Sequence, residues 1–552
     1  MHYSKNNTKK TLLFFIISTV FIIKSFSQGT VKPNRPKLII GIVIEQMRYD
    51  NIERYWEKYE NGGFKKLYKN GMVFNNARYN HMFAQQGVSH ATISTGTTPS
   101  FHGIIGTNWY DTKRNLPVYC VQDEKPFTTG SDSYEGKRSA QYLESTTVGD
   151  EILLSTSRKS KVVSISMSDC SSILSAGNLG KAFWFDDRAG AWITNSLYMN
   201  KLPQWVSDFN DEFLPDLYLT KTWETVLSIE KYTESQADDS KLEQGFLNEY
   251  KTFPYELSRL NKQMREFSLL KMTPFANLFT KDFAIKAIQS ENLGKDDYTD
   301  LLLISFSATH EIGKLFGPES IEVEDAFLRL DRDLAHLLMF LDSSLGTDNY
   351  LIYLTSSHGS INTEAYMEEL GLPSGHFNQG TAISLLKAYL RNKFGNDEWV
   401  KTYLNQQFYL DRRLIESKKL SYNTIEKEAV ELLKEFTGVA NIVSASQLQD
   451  EDFNKYPQTY IQNSYYYGRS GDILINLLPG WTENVKERTY NSFYEYDAHV
   501  PLIWYGWKVK PQFVNRNVTM TDIAPTISTL LNVSSPSACT GKALEEFSKL
   551  GE

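Results

Sequence analysis

Cysteine is scarce in this chain: three residues of 552, at Cys120, Cys170 and Cys539. Three thiols cannot all pair within one chain, so a disulfide scaffold is excluded. None has a His or Cys spacing that suggests a zinc finger. Long apolar runs are lacking too; the run at 12–23 is short and soon followed by polar sequence, which argues against a membrane span. There is no internal repeat and no low-complexity tract. Positive charge is in deficit, with 58 Lys and Arg against 66 Asp and Glu and a net charge of −8. Such an acidic balance disfavours nucleic acid as a partner.

What is present begins with an export signal. Lys5, Lys9 and Lys10 form a basic start, the 12–23 run is the apolar segment, and Ser25-Phe26-Ser27 offers a cleavage site before Gln28. No Cys stands at that site to carry a bacterial lipid anchor. Removing 1–27 takes away four Lys and no acid, so 58 basic residues become 54 against 66 acids, a net of −12. The sequence thus predicts an exported protein, periplasmic rather than released, with no membrane span after cleavage. Residues 28–36 read as a short spacer, and 37–552 as the folded part.

Apolar, β-branched runs at 37–44, 161–167, 300–306, 350–355 and 500–505 predict buried parallel strands. Helical patterns lie between them. In the clearest, at 322–342, Phe327, Leu330, Leu334, Leu338 and Leu341 recur at three- and four-residue steps. Strands alternating with helices predict an α/β fold with a doubly wound, mainly parallel sheet. Two stretches break the rhythm. Residues of about 200–295, rich in Glu, Lys and Tyr, predict a helical insertion. Residues of about 376–470, ending near Tyr465-Tyr466-Tyr467, predict a cap over the active face.

Five segments carry chemical information: GIVIEQMRYD at 41–50, AQQGVSHATISTGTTPSFHGI at 84–104, SFSATHEIGKLFGP at 305–318, TSSHGS at 355–360 and RTYNSFYEYDAHVPLIWYG at 488–506. With Thr521-Asp522-Ile523-Ala524-Pro525 they occur in an order that resembles the alkaline phosphatase superfamily. The resemblance is to its branch of type I phosphodiesterases, nucleotide pyrophosphatases and phosphate-irrepressible alkaline phosphatases of Bacteroidetes-type bacteria, and it covers most of 37–545. It implies two zinc ions at the C-terminal ends of the strands, held by carboxylates and imidazoles around a Thr or Ser nucleophile.

At the positions the resemblance picks out, this chain carries other residues. Glu45 stands where the first-strand Asp is implied, one methylene longer. Gln86 stands at the nucleophile position, and an amide neither accepts a phosphoryl group nor ionises to bind zinc. His310 and Lys314 replace an Asp and a His in the third segment. Ser357 replaces an Asp beside a retained His358, and Tyr490 replaces a His. At the phosphate-contacting positions stand Ser168 and Cys170, with Thr107 in place of an Asn and Asn108 next to it. An ammonium from Lys314 about 4 Å from a dication would be repelled by roughly 8 kcal/mol at an effective dielectric of about 20. The candidates left for one metal are Glu45, His310 and His358.

His90 and His102 read as hydrogen-bonding core histidines, His499 as structural, and the Tyr465–Tyr467 cluster as packing or cap surface. These replacements predict a pseudoenzyme: an exported alkaline-phosphatase-like protein with no cofactor, acting by binding or as part of a cell-envelope assembly, with an unidentified protein or envelope component as partner. The alternative is a divergent phosphatase or phosphodiesterase using a single divalent metal such as zinc and a metal-bound water.

Overall fold

The apolar run at 37–44 folds as the strand Leu38–Ile44, and all seven residues are buried. Its pleat sends side chains to two cores. Leu38, Ile40, Ile42 and Ile44 join one hydrophobic cluster with Phe327, Leu330, Leu334 and Leu338, while Ile39 and Val43 join another with Ile523, Ala524 and Ile527. A strand apolar on both faces has to be covered on both, which places it mid-sheet. A computed structural model, describing residues 35–241, 243–483 and 492–547, shows that position.

The main sheet has ten strands. Leu38–Ile44 lies between Asp300–Phe306 and Tyr350–Ser356, parallel to both. Val162–Ser166 and Lys181–Asp186 continue the parallel core beyond Asp300–Phe306. The run at 500–505 forms the strand Leu502–Gly506, but antiparallel to Tyr350–Ser356 and to Met72–Arg78. The reading as a parallel strand is corrected there, because apolarity on both faces reports burial and not direction. Ala191–Asn195 is likewise antiparallel to Lys181–Asp186. The sheet is mixed, mostly parallel and flanked by helices, as expected for the α/β class.

The 322–342 pattern becomes the helix Ile321–Ser344, begun by Ser320, whose side chain accepts a hydrogen bond from Val323 N. In the insertion, the helices Gln204–Asn210, Leu214–Tyr218, Leu257–Met264 and Ser268–Lys271 are joined by a short antiparallel pair, Thr222–Trp223 with Tyr255–Glu256. The following helix, Phe275–Ser290, packs Phe279, Phe283, Ala284 and Ala287 into the main core. The cap holds a four-stranded antiparallel sheet in the order Val400–Leu404, Gln407–Leu410, Ile473–Leu477, Val439–Ser444, with a core of its own around Leu386, Ile425, Leu433 and Ile475. The strand Ile473–Leu477 lies past 470. The expected signal peptide at 1–27 lies outside the described residues, and among the described residues no helix is long and apolar enough to cross a membrane.

One glycine is fixed by close approach. Gly41 pairs with Tyr353 on the neighbouring strand, and a Cβ at Gly41 would lie 2.2 Å from the Tyr353 hydroxyl oxygen. Both backbones are held by the sheet, so Gly41→Ala has to displace a buried ring. It should lower the unfolding free energy by about 1–3 kcal/mol in a urea titration.

Candidate active site

The loops that leave the parallel strands at their C-terminal ends converge, as an open α/β sheet places its ligand site. Glu45 directly follows Leu38–Ile44 and is fully buried. Its backbone N–H donates to Phe306 O at 2.9 Å, which ties the two strand ends together. Three side chains donate to its carboxylate: Ser171 and Ser305 to Oε1, each at 2.7 Å, and the Gln86 amide to Oε2. His90 Nε2 stands 3.7 Å from Oε1, and its Nδ1 is 2.8 Å from Ser175 Oγ. Burial alone would raise the pKa of Glu45. The neighbouring His90, His310 and Ser305 outweigh it and hold the carboxyl at about 2.

Each neighbour is delivered by a regular element. Gln86 is the first residue of the helix Gln86–Thr95, so the positive end of that helix dipole lies at the site. Ser171 belongs to Asp169–Ala176 and Ser305 to Asp300–Phe306. His310 sits on Ala308–Phe316, its ring 5.4 Å from that of His358 and nearly perpendicular to it. Both imidazoles are buried, and burial depresses each to about 3; Lys314 adds to this at His310, and His310 at His358. His358 Nδ1 is 2.7 Å from Gly359 O. Ser357, next in the chain, is fully buried.

The remaining expected residues lie around this centre. Lys314 is 45% exposed and 3.7 Å from Glu311 Oε2, and His310 Nε2 is 3.8 Å from Oε1 of the same carboxylate, so the ammonium stands at the solvent edge of the site. Thr107 N donates to Gln85 Oε1 at 2.6 Å, which docks the 107–108 turn against the residue before Gln86. Asn108 is exposed, and its carbonyl accepts from Asn405 Nδ2 of the cap at 2.7 Å. Ser168 Oγ and Cys170 Sγ are 3.3 Å apart. Beside them burial pushes the Cys120 thiol well up, and contact with Cys170 adds to this. Tyr490 lies outside the described residues.

His90 is hydrogen-bonded and buried, and its Nε2 is also 3.3 Å from Ser305 Oγ, so it borders the site directly. His102 hydrogen-bonds Thr92 at 3.2 Å, and His499 stacks on Tyr49 at 4.2 Å. Three residues escaped the sequence reading: Ser171, Ser305 and Asp497. Ser305 and Asp497 lie within segments already singled out, and Ser171 directly follows Cys170. Asp497 is buried, and burial raises its carboxyl to about 7 against the pull of Ser492 and Arg48. Ser171 is one turn from Ser168, and only the three-dimensional meeting with Glu45 distinguishes it from any helical serine.

A zinc pair needs lone pairs from several carboxylates and imidazoles aimed at one point. Among the described residues no group of three or more His, Cys, Asp or Glu is placed to hold a metal ion. The Glu45 oxygens are already engaged by three donors, and Gln86 turns N–H groups toward them. The residues present do not fit the implied metal pair.

With this geometry in view, the class can be stated. Residues 39–496 match the family model "Type I phosphodiesterase / nucleotide pyrophosphatase", and the chain belongs to that family of phosphoric ester hydrolases, within the alkaline phosphatase superfamily. It is 38% identical over 535 residues to alkaline phosphatase PafA of Elizabethkingia meningoseptica, covering 95% of this chain and 97% of the relative. Alkaline phosphatase PhoV of Synechococcus elongatus is 37% identical over 521 residues, covering 93% of each. A crystal structure of wild-type alkaline phosphatase PafA superposes with a TM-score of 0.89 at 37% identity, covering 93% of this chain and 99% of that one.

These findings correct the expectation of a binding or envelope-assembly pseudoenzyme. Likeness to alkaline phosphatases runs along the whole chain and favours a working hydrolase. The replaced side chains gave the expectation its force. They weigh residue identity at a few positions and leave out what the fold retains: an ionised carboxylate at the end of the first strand, facing a helix N-terminus.

Proposed function

We propose that the protein is a divergent phosphoric ester hydrolase that releases phosphate from monoesters. The observation that carries this reading is the full-length similarity, at 37–38% identity, to alkaline phosphatases. The site geometry supports it. The Gln86–Thr95 helix brings its positive end beside Glu45, where a phosphoryl group gains from backbone N–H groups. Glu45 holds this corner together by ordering Gln86, Ser171 and Ser305 around one carboxylate. His310 and His358 stay neutral at pH 7 and add no positive charge.

The test is phosphate release from a simple aryl phosphate monoester and from the matching diester, by protein purified without chelator. Parallel reactions contain added zinc, manganese or calcium. Release above a heat-inactivated control is expected, faster on the monoester, and lowered at least tenfold in a Glu45→Ala variant shown to be folded. Release equal to the control under every condition would end the hydrolase reading.

A further inference from the structure

Away from the site, the hairpin Asn108–Asp111 with Leu116–Tyr119 and the cap enclose a cleft of about 970 Å³. Five of its lining side chains are cationic (Lys113, Lys401, Arg412, Arg413 and Arg469), and one, Asp411, is acidic. That ratio runs against the chain as a whole, which has more acids than bases. Three of the cations are compensated. Lys401 pairs with Asp411, Arg412 with Asp472 and Arg469 with Glu144. Arg469 is further fixed by donating to the carbonyls of Gly103 and Tyr142 at 2.7 and 2.6 Å, with its guanidinium 4.9 Å from the centre of the Tyr466 ring. It is a rigid wall.

Lys113 and Arg413 are different. Both are exposed, and among the described residues neither has a carboxylate within ion-pair distance. The nearby Asp111 is engaged with Arg114 at 3.6 Å and with the backbone N–H groups of Lys113 and Arg114. Arg413 Nη2 donates to the backbone carbonyl of Lys113 at 3.3 Å. That contact joins the hairpin tip to the cap and sets two uncompensated cations at one mouth of a cleft already lined by three more. Like charges so placed repel unless an anion lies between them. The volume exceeds what a single orthophosphate needs, and the Tyr466 and Tyr467 rings add apolar surface.

We propose that this cleft is a binding site for a small, multiply charged phosphate ligand, held chiefly by Lys113 and Arg413. Steering toward it is electrostatic, so affinity falls as salt is raised. The inference concerns equilibrium binding and stands apart from turnover at Glu45.

The experiment is isothermal titration of the full chain with inorganic tripolyphosphate, and separately with orthophosphate, at low and at physiological salt. Released orthophosphate is monitored so that hydrolysis is not read as binding. Lys113→Ala/Arg413→Ala is compared with Lys262→Ala/Lys434→Ala, which removes the same charge from exposed positions elsewhere. Tripolyphosphate is expected to bind at least tenfold more tightly than orthophosphate. The cleft variant should lose at least tenfold in affinity, the control pair less than twofold, and both should keep the wild-type melting temperature. Equal affinity in the cleft variant, no preference over orthophosphate, or no binding at low salt would each overturn the proposal.

Discussion

Glu45→Ala should lower the unfolding free energy by about 3 kcal/mol, the low end of the cost of leaving three buried donors without their acceptor. The carboxylate is fully buried and accepts from Ser171, Ser305 and Gln86. Truncation leaves three donors at once without their acceptor, and each unsatisfied buried donor costs about 1–3 kcal/mol before any relaxation. Serine hydroxyls rotate to find other acceptors, which keeps the total near the lower end of the sum. Glu45→Gln separates charge from satisfaction. Its carbonyl still receives the serines, and rotation of the Gln86 amide would give its new N–H groups an acceptor. If hydrogen-bond satisfaction dominates, Glu45→Gln costs about 1 kcal/mol. If the negative charge dominates, it costs as much as alanine. Urea titrations of both variants at pH 7 decide between these.

The same residue fixes a pH dependence. Glu45 has a folded-state pKa of about 2 against an ordinary value of 4.5. A carboxyl with a depressed folded pKa contributes stability that is fully present above the ordinary value and is lost as pH falls toward the folded one. Between pH 5 and pH 2 the wild type should therefore lose more stability than the alanine variant, which has no such carboxyl to protonate.

Much of the architecture was legible because buried strands are conspicuous. Runs such as Leu38–Ile44 and Asp300–Phe306 are apolar on both faces, and little else in a soluble fold has that pattern. Direction was not legible, so Leu502–Gly506 was misjudged. The cap strands were missed because they are short and irregular; Val400–Leu404 and Val439–Ser444 both carry register shifts, and exposed positions dilute their pattern. At the site, Glu45, Gln86, His310 and His358 were found from the positions they occupy, and the structure brings them into one neighbourhood. Lys314 was found the same way, and its side chain reaches the solvent edge of that neighbourhood, on the Glu311 carboxylate that His310 also faces. One helical position does not settle where a flexible four-carbon stem ends. Ser171 and Ser305 went unseen because a serine donor has no sequence signature until its acceptor is known.

A gain in stability is expected at Glu322, which is not among the residues around Glu45. Glu322 lies on Ile321–Ser344 with no exposure, and its Oε1 accepts a hydrogen bond from Tyr255 Oη at 2.5 Å. Burial, reinforced by Asp238, raises its carboxyl to about 8 against the pull of the Tyr255 hydrogen bond. The folded protein therefore keeps the proton at pH 7, whereas the unfolded chain, with an ordinary pKa of 4.5, gives it up. A group whose folded pKa is raised contributes stability that is present below the unfolded value and is lost as pH rises toward the folded one. At pH 7 roughly 2.5 units of that range have been crossed, equivalent to roughly 3 kcal/mol. Glutamine matches the protonated acid in shape, keeps the acceptor for Tyr255 and has no charge to release on unfolding. Glu322→Gln should thus raise the unfolding free energy by about 2–3 kcal/mol at pH 7 and change it little at pH 4. Urea titrations at both pH values measure the difference. Equal effects at the two would show that the glutamate is ionised inside the fold, with its charge balanced by a group other than Tyr255.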